Sequence, residues 1–456
     1  MATLVRSSFN PQKNLLIPCL IFLVLILVIF GVTISMVPYA DDFILLTVAA
    51  HRTNPLIFFA GDEGLGFSLY RPLHPLSLWI VFKLFGTNAV PNQIINLALH
   101  FVNVCLLYRL LRRIRPDTVL AFLLTLLVLV SPYTLSPAIW VSDRPMLWIG
   151  LATLLFLNHL FFTDPLARLK PWLLIGMTIF ALLNKETGLT LLALTALVAL
   201  EVGLSSRKGR QLFVASVIVG LSYFGLRYAL FGTLTADYYL NGYLFGVFYY
   251  ENSRFLPLPV KVLAYLNNIL WHIVAILLPV FSTENGRIAG LRGLLVRLPL
   301  VIATVIPFLA AISRRLTRIQ KYALALILLN ALVFFGVFSY RDLYVEQIAF
   351  CIFVMCADLA QSRIKRGVVL VCIAGLSLYN GFTILRSDLP NEVVLRNTSF
   401  ENLLVANQAR PLPTDILDPQ ILADIAARYG IPTPTPIATE GEVIQTPIIT
   451  EGEVID

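Results

Sequence analysis

Two adjacent carboxylates, Asp41 and Asp42 in YADDF, directly follow an apolar block running from Asn14 to Met36. A carboxylate at the rim of a bilayer can take the proton from an acceptor hydroxyl, which is too weak a nucleophile until that proton leaves in the transition state. One member of the pair would serve as the base while the other binds or orients. The alternative is a solvated pair that simply ends the first span, because span ends are often polar. Further along come Arg71 and His74 in YRPLHP, Asp143 and Arg144 in SDRP, Lys185 and Glu186 in KETG, and Tyr340, Arg341 and Asp342 in SYRD. A guanidinium grips phosphate oxygens as a fork and keeps its charge, so Arg71 and Arg341 suit an anionic head group, with Lys185 as a point charge. Each also reads as an interfacial anchor, and Lys185–Glu186 and Arg341–Asp342 as neighbours that neutralise one another. His100, one turn beyond Asn96 within an apolar block, reads as a satisfied structural histidine or as a ligand. Number favours chemistry: four or more separate segments each bring a charged residue to the end of a short apolar block.

These residues need elements to hold them, and composition says which kind. Of 456 residues, 58% are hydrophobic and 13% charged, against about 25% charged in soluble chains. Apolar blocks such as Asn14 to Met36 and Leu212 to Phe231 reach the roughly 20 residues that a hydrocarbon layer about 30 Å thick demands. A soluble enzyme with one buried core is therefore excluded. The expected fold is all-α and polytopic, with the lipid bilayer as its first partner. The first block is too long for a secretory signal and no small-x-small site follows it, so it reads as a retained span. The net charge of +8 is uneven: from Ser387 onward eleven acidic and three basic residues leave −8, and the preceding 386 residues carry +16. That positive charge sits in short loops between spans, which encodes orientation rather than nucleic-acid binding. Cys19, Cys105, Cys351, Cys356 and Cys372 lie within apolar blocks and act as small hydrophobes. No glycine-rich phosphate loop, HExxH or GxSxG is present, so nucleotide-sugar and ATP chemistry have no anchor.

Orientation follows from the arginines. Arg6 and Lys13 before the first span put the N-terminus in the cytoplasm. Keeping Arg109, Arg112, Arg113 and Arg115 inside requires that residues 70–85 lie at the outer surface. Keeping Arg314, Arg315, Arg318 and Lys321 inside asks the same of residues 261–281, and leaves Arg287, Arg292 and Arg297 outside. About eleven crossings result, with external loops at 38–91, 131–144 and 232–296. Residues 1–386 then form the transmembrane catalytic domain, and 387–456 an acidic, partly disordered external tail ending in the near-copies TPIATEGEVIQ and TPIITEGEVID. Such composition buries too little apolar surface to fold alone, and its removal after Ser387 is expected to leave activity intact.

The first span with its acidic pair resembles the GT-C superfamily of integral-membrane glycosyltransferases. YRPLHPLS, NLALHFVNVCLLYRLLRR, SPAIWVSDRPML, KETGLTLL, LLPVFSTENG and SYRDLYVEQIAF look like the branch of protein O-mannosyltransferases and tetratricopeptide-linked O-mannosyltransferases, in the same order, over roughly residues 14–386. The resemblance implies a polyprenyl-phosphate-linked sugar as donor, an acceptor protein or glycan attacking on the external face, and inversion at the anomeric carbon. By that analogy Asp41 or Asp42 is the base, and Arg71, Lys185 and Arg341 hold the carrier's phosphate and stabilise the leaving group. Asp143 matches an acidic position of the second outer loop, and Tyr340 and Tyr344 frame Arg341. Neither tetratricopeptide repeats nor a trefoil-like domain is present, so a glycolipid or cell-wall polymer is as acceptable as a protein. No acid-x-acid metal motif occurs; a divalent cation, magnesium or manganese, bridging Asp41, Asp42 and phosphate remains chemically reasonable. The location implied is a bacterial plasma membrane. The competing class is a transporter or lipid flippase without covalent chemistry, although no internal repeat is apparent.

Overall fold

The computed structural model describes residues 15–61, 69–162, 169–234, 242–244, 248–250, 257–277, 290–312, 315–333, 340–358, 362–409 and 417–431. The described chain is almost entirely helical, apart from a small antiparallel hairpin, β1 (Gly242–Leu244) and β2 (Phe248–Tyr250). Its opening half runs α1 (Leu16–Phe30), α2 (Asp41–His51), α3 (Leu73–Phe85), α4 (Val90–Ile114), α5 (Thr118–Leu129), α6 (Pro132–Ile139) and α7 (Arg144–Phe162). There follow α8 (Pro171–Asn184), α9 (Gly188–Val202), α10 (Arg207–Phe231), α11 (Leu258–Leu277) and α12 (Gly290–Ala311). The last five are α13 (Arg318–Val333), α14 (Tyr344–Met355), α15 (Arg363–Thr383), α16 (Leu389–Ala409) and α17 (Pro419–Tyr429).

Local chemistry sets many of these boundaries. Asp117 accepts from Leu120 N–H at 3.1 Å to start α5, and Ser131 accepts from Tyr133 N–H at 3.2 Å to start α6 with Pro132 in its first turn. Such caps satisfy N–H groups that have no partner inside the helix. Gly232, at φ 69°, ends α10 in the left-handed conformation.

Among the described residues six helices are long and apolar enough to cross a membrane: Leu16–Ser35, Val90–Ile114, Val141–Phe162, Arg207–Phe231, Leu258–Ile276 and the run Arg363–Asn407. A seventh arises if α5 and α6, bent by 57° across the break between Leu129 and Pro132, count as one broken span. The chain is an α-helical, multi-pass membrane protein. With 13 residues, α3 is too short to cross, but α11 passes on length and composition. One face of this helix, carrying Ala264, Asn268, His272 and Ala275, is buried by protein.

The short helices α8, α9, α13 and α14 fall below the roughly 20 residues a lone span needs. Neighbouring helices bury one face of α8, α9 and α13. In α14 every residue from Tyr344 to Met355 is buried, enclosed by α4, α5, α7, α12 and α13.

The division at residue 386 is also corrected. A π-turn at Ile384–Asp388 joins α15 to α16, so the helical run Arg363–Asn407 crosses the expected boundary. α17 then packs its Ile421, Leu422, Ile425 and Ala426 into a cluster with Phe43 and Leu46 of α2. Phe43 and Phe400 stack with ring centroids 4.9 Å apart. An acidic composition had hidden these apolar faces. The expected disorder of the final repeats falls on 432–456, outside the described residues.

Candidate functional site

The acidic pair sits on a strained turn. Ala40 adopts φ 46°, ψ −114°, and among the described residues no other non-glycine has positive φ. Such a conformation costs about 1–3 kcal/mol and persists only where its surroundings enforce it. The turn lets Tyr39 N–H donate to Asp42 Oδ2 at 3.1 Å, while Ser142 donates to Asp42 Oδ1 from its N–H at 2.9 Å and its hydroxyl at 2.6 Å. Asp42 is buried, and burial raises its carboxyl above the ordinary aspartate value. The Ser142 hydroxyl, the Arg396 charge and the Tyr39 and Ser142 N–H groups pull the other way. Asp41, beside it, is half-buried at the N-terminus of α2, where the helix dipole favours a negative charge.

Residues 140–144 hold the second layer. Val141–Asp143 is a 3-10 turn whose Val141 carbonyl lies 3.4 Å from His74 Nε2. Ser136 donates to Asp143. Arg144 is completely buried: its Nε donates to Asn96 Oδ1 at 2.7 Å, its Nη2 to Asn92 Oδ1 at 2.7 Å and to the Asn92 carbonyl at 3.1 Å. These bonds clamp the start of α7 to α4. Asp143 and Arg144 therefore build the frame rather than face an open head-group site. His100 resolves the same way: its ring nitrogens lie 3.4 Å from Tyr344 Oη and from the Leu129 carbonyl, and the ring is buried.

The third layer consists of ion pairs between distant segments. Arg71 Nε meets Glu186 Oε2 at 2.9 Å, and Arg227 Nη1 approaches Glu186 Oε1 at 3.6 Å. Lys185 Nζ meets Asp342 Oδ1 at 2.8 Å. Mutual neutralisation of Lys185 with Glu186 is thus corrected; the two neighbours reach opposite ways to different elements. The corner that splays them is tight. A Cβ on Gly188 would stand 2.3 Å from the Leu182 backbone nitrogen, so glycine is required where α9 begins against the end of α8. Asn330 Nδ2 donates to the Asp342 carbonyl at 3.2 Å. One turn below, Glu346 Oε1 lies 3.6 Å from His272 Nδ1, both fully buried. Tyr340 and Arg341 belong to the 3-10 turn Tyr340–Leu343, but their side chains lie outside the described residues.

Five segments thus join in one chain of contacts: Asp42 to Ser142, Val141 to His74, Arg71 to Glu186, and Lys185 to Asp342. Sequence reasoning missed Ser142, Arg227, His272, Glu346 and Arg396. Arg227, His272 and Glu346 were detectable as ionisable groups within apolar helices. Arg396 was obscured by the assumed tail, yet its guanidinium lies 5.4 Å from the Tyr39 ring centre and its Nε 3.1 Å from Glu392 Oε2.

A cation shared equally by the acidic pair does not fit. Asp42 Oδ1 already accepts two hydrogen bonds and Oδ2 a third, which fills most of its acceptor capacity. Among the described residues no group of three or more His, Cys, Asp or Glu is arranged to hold a metal ion. The chain matches no protein-family model, no curated protein and no solved structure.

Proposed function

We propose that the chain is a glycosyltransferase that moves a hexose, mannose or another, from a polyprenyl-phosphate carrier to an acceptor on the external face of the membrane. Asp41 is the general base and Asp42 the residue that positions it. The observation that carries this reading is the contrast within the pair. Asp42 is buried and held by three donors, whereas Asp41 retains exposure on a turn that its surroundings hold in place despite the strain at Ala40. Proton transfer needs an accessible carboxylate held in register. Arg71 and Lys185 supply positive charge on the same chain of contacts, where a departing polyprenyl phosphate would develop its own negative charge. Arg341, in the turn bearing Asp342, belongs to the same set by the family resemblance.

In this reading eleven helices cross: α1, α4, α5, α7 to α10 and α12 to α15. The N-terminus is cytoplasmic, the acidic pair external, and the membrane a bacterial plasma membrane. A transporter or flippase is the second reading, favoured by the buried Glu346–His272 pair inside apolar helices.

The deciding experiment uses the purified chain in vesicles with a radiolabelled polyprenyl-phosphate hexose. Asp41→Asn abolishes transfer to acceptor with folding intact, and Asp42→Asn lowers it. Full transfer in both single variants and the double variant sinks the assignment. Counterflow of the lipid without covalent transfer supports the transporter instead.

A further inference from the structure

Away from the acidic pair, the far ends of α4 and α7 flank an open cavity of about 300 Å³ lined by Leu106, Arg109, Arg113, Leu155, Asn158 and Phe162, with His159 beside them. That volume is at the lower end of the range for small-molecule sites. Arg109 and Arg113 are one helical turn apart and exposed, so both guanidinium groups stand on one face. Among the described residues neither has a carboxylate partner. Their neighbours are differently placed: Arg112 donates to Thr118 and Arg115 to the Ala357 carbonyl, and Arg366 pairs with Asp117 at 3.1 Å. The Arg113 guanidinium lies 4.3 Å from the centre of the Phe162 ring, which orients it over the cavity wall. Asn158 Oδ1 is buried with no hydrogen-bond partner, while its Nδ2 donates to the Leu154 carbonyl at 2.8 Å. An amide oxygen of this kind can accept from a hydroxyl.

Two like charges on one helix turn repel, and an anion that bridges them relieves the repulsion. The cavity's other walls are leucine and phenylalanine, and exposed Leu155 and Val102 continue the apolar surface beside it. The ligand chemistry is therefore a phosphate attached to an apolar body, with a hydroxyl within reach of Asn158. We propose that this cavity binds the head group of an anionic glycerophospholipid from the surrounding leaflet, its phosphate bridging Arg109 and Arg113. Basic clefts between membrane helices bind anionic lipid in this way.

The test uses the full-length protein in detergent, with native mass spectrometry counting retained lipid and thermal unfolding following titration. Phosphatidylglycerol binds saturably and raises the apparent Tm; phosphatidylcholine does not. Each arginine near an anionic lipid surface contributes about five-fold, so Arg109→Gln with Arg113→Gln weakens half-saturation about 30-fold. Lys365→Gln, an exposed basic residue on α15, leaves it unchanged and controls for general surface attraction. Should inorganic phosphate at matched ionic strength give the same shift as the lipid, the lipid assignment is overturned in favour of a bare anion site. Equal retention of phosphatidylglycerol by the double variant, or equal weakening in Lys365→Gln, overturns the site.

Discussion

Replacing Lys185 with methionine removes the cation that lies 2.8 Å from Asp342, and the size of the effect can be worked from the pair's surroundings. The side chains are 8% and 5% exposed and 2.8 Å apart, so water does little to screen them. An exposed pair would be worth about 0–1 kcal/mol. A buried one behaves otherwise: deleting either partner strands an unneutralised charge and costs about 3–5 kcal/mol. Lys185→Met and Asp342→Leu should each lie in that range. Their combination, which removes both charges, should cost far less than the sum, because apolar replacement of a whole buried pair is often close to neutral. The assay is a double-mutant cycle of unfolding free energies from titration with a denaturing detergent. Single-variant losses below about 1 kcal/mol would mark a hydrated pair, and strict additivity would mean that the two side chains do not interact in the folded protein. Either result refutes the reasoning.

Three further outcomes are expected. Phe400→Ala, which empties a fully buried ring site stacked on Phe43, should lower stability by about 3–5 kcal/mol, whereas truncation after residue 431 should leave the unfolding midpoint unchanged; both are read by thermal unfolding. Since burial raises the Asp42 carboxyl above its ordinary value of 3.8, the folded state binds more protons than the unfolded chain between that value and the raised one, and Asp42's contribution to stability falls as pH rises through the window. Asp42→Asn lacks this loss, so its unfolding midpoint relative to wild type should rise from pH 4 to pH 7; a flat difference would contradict the burial. Glu186→Gln removes the charge that Arg71 and Arg227 share and should destabilise more than Arg71→Gln, which leaves Glu186 with Arg227, as the same unfolding assay would report.

What the sequence made legible was unevenly distributed. Asp41, Asp42, Arg71 and Lys185 stood out because charge is rare in a chain this apolar, and the structure links the segments that carry them. Their partners were harder to read, since an ion pair such as Lys185–Asp342 joins residues 157 positions apart and no local pattern encodes it. Adjacent opposite charges suggested self-neutralisation, but the Gly188 corner, which separates Lys185 from Glu186, is a feature of backbone packing. The final helix was readable and overlooked. Asp418 accepts from Gln420 N–H at 2.8 Å, Pro419 opens the helix and Gly430 closes it at φ 67°, a cap, proline and glycine in the expected order. Overall acidity masked that signal. Burial within the bundle was not readable from span counting, because hydropathy measures what a lone helix gains from lipid, whereas α14 is sheltered by protein along its whole length.

The complete enclosure of α14 bears on how the protein is made. Its twelve residues extend only about 18 Å at 1.5 Å each, and Glu346 sits among them. A segment that short and charged has little reason to leave the insertion machinery for lipid on its own. It must be released together with α12 and α13, which pack against it, and find its slot among helices synthesised some two hundred residues earlier. The middle of the bundle is therefore the last part to be filled. A ribosome stalled just past residue 355 would leave a pre-assembled shell with an empty centre, a natural substrate for membrane quality-control proteases.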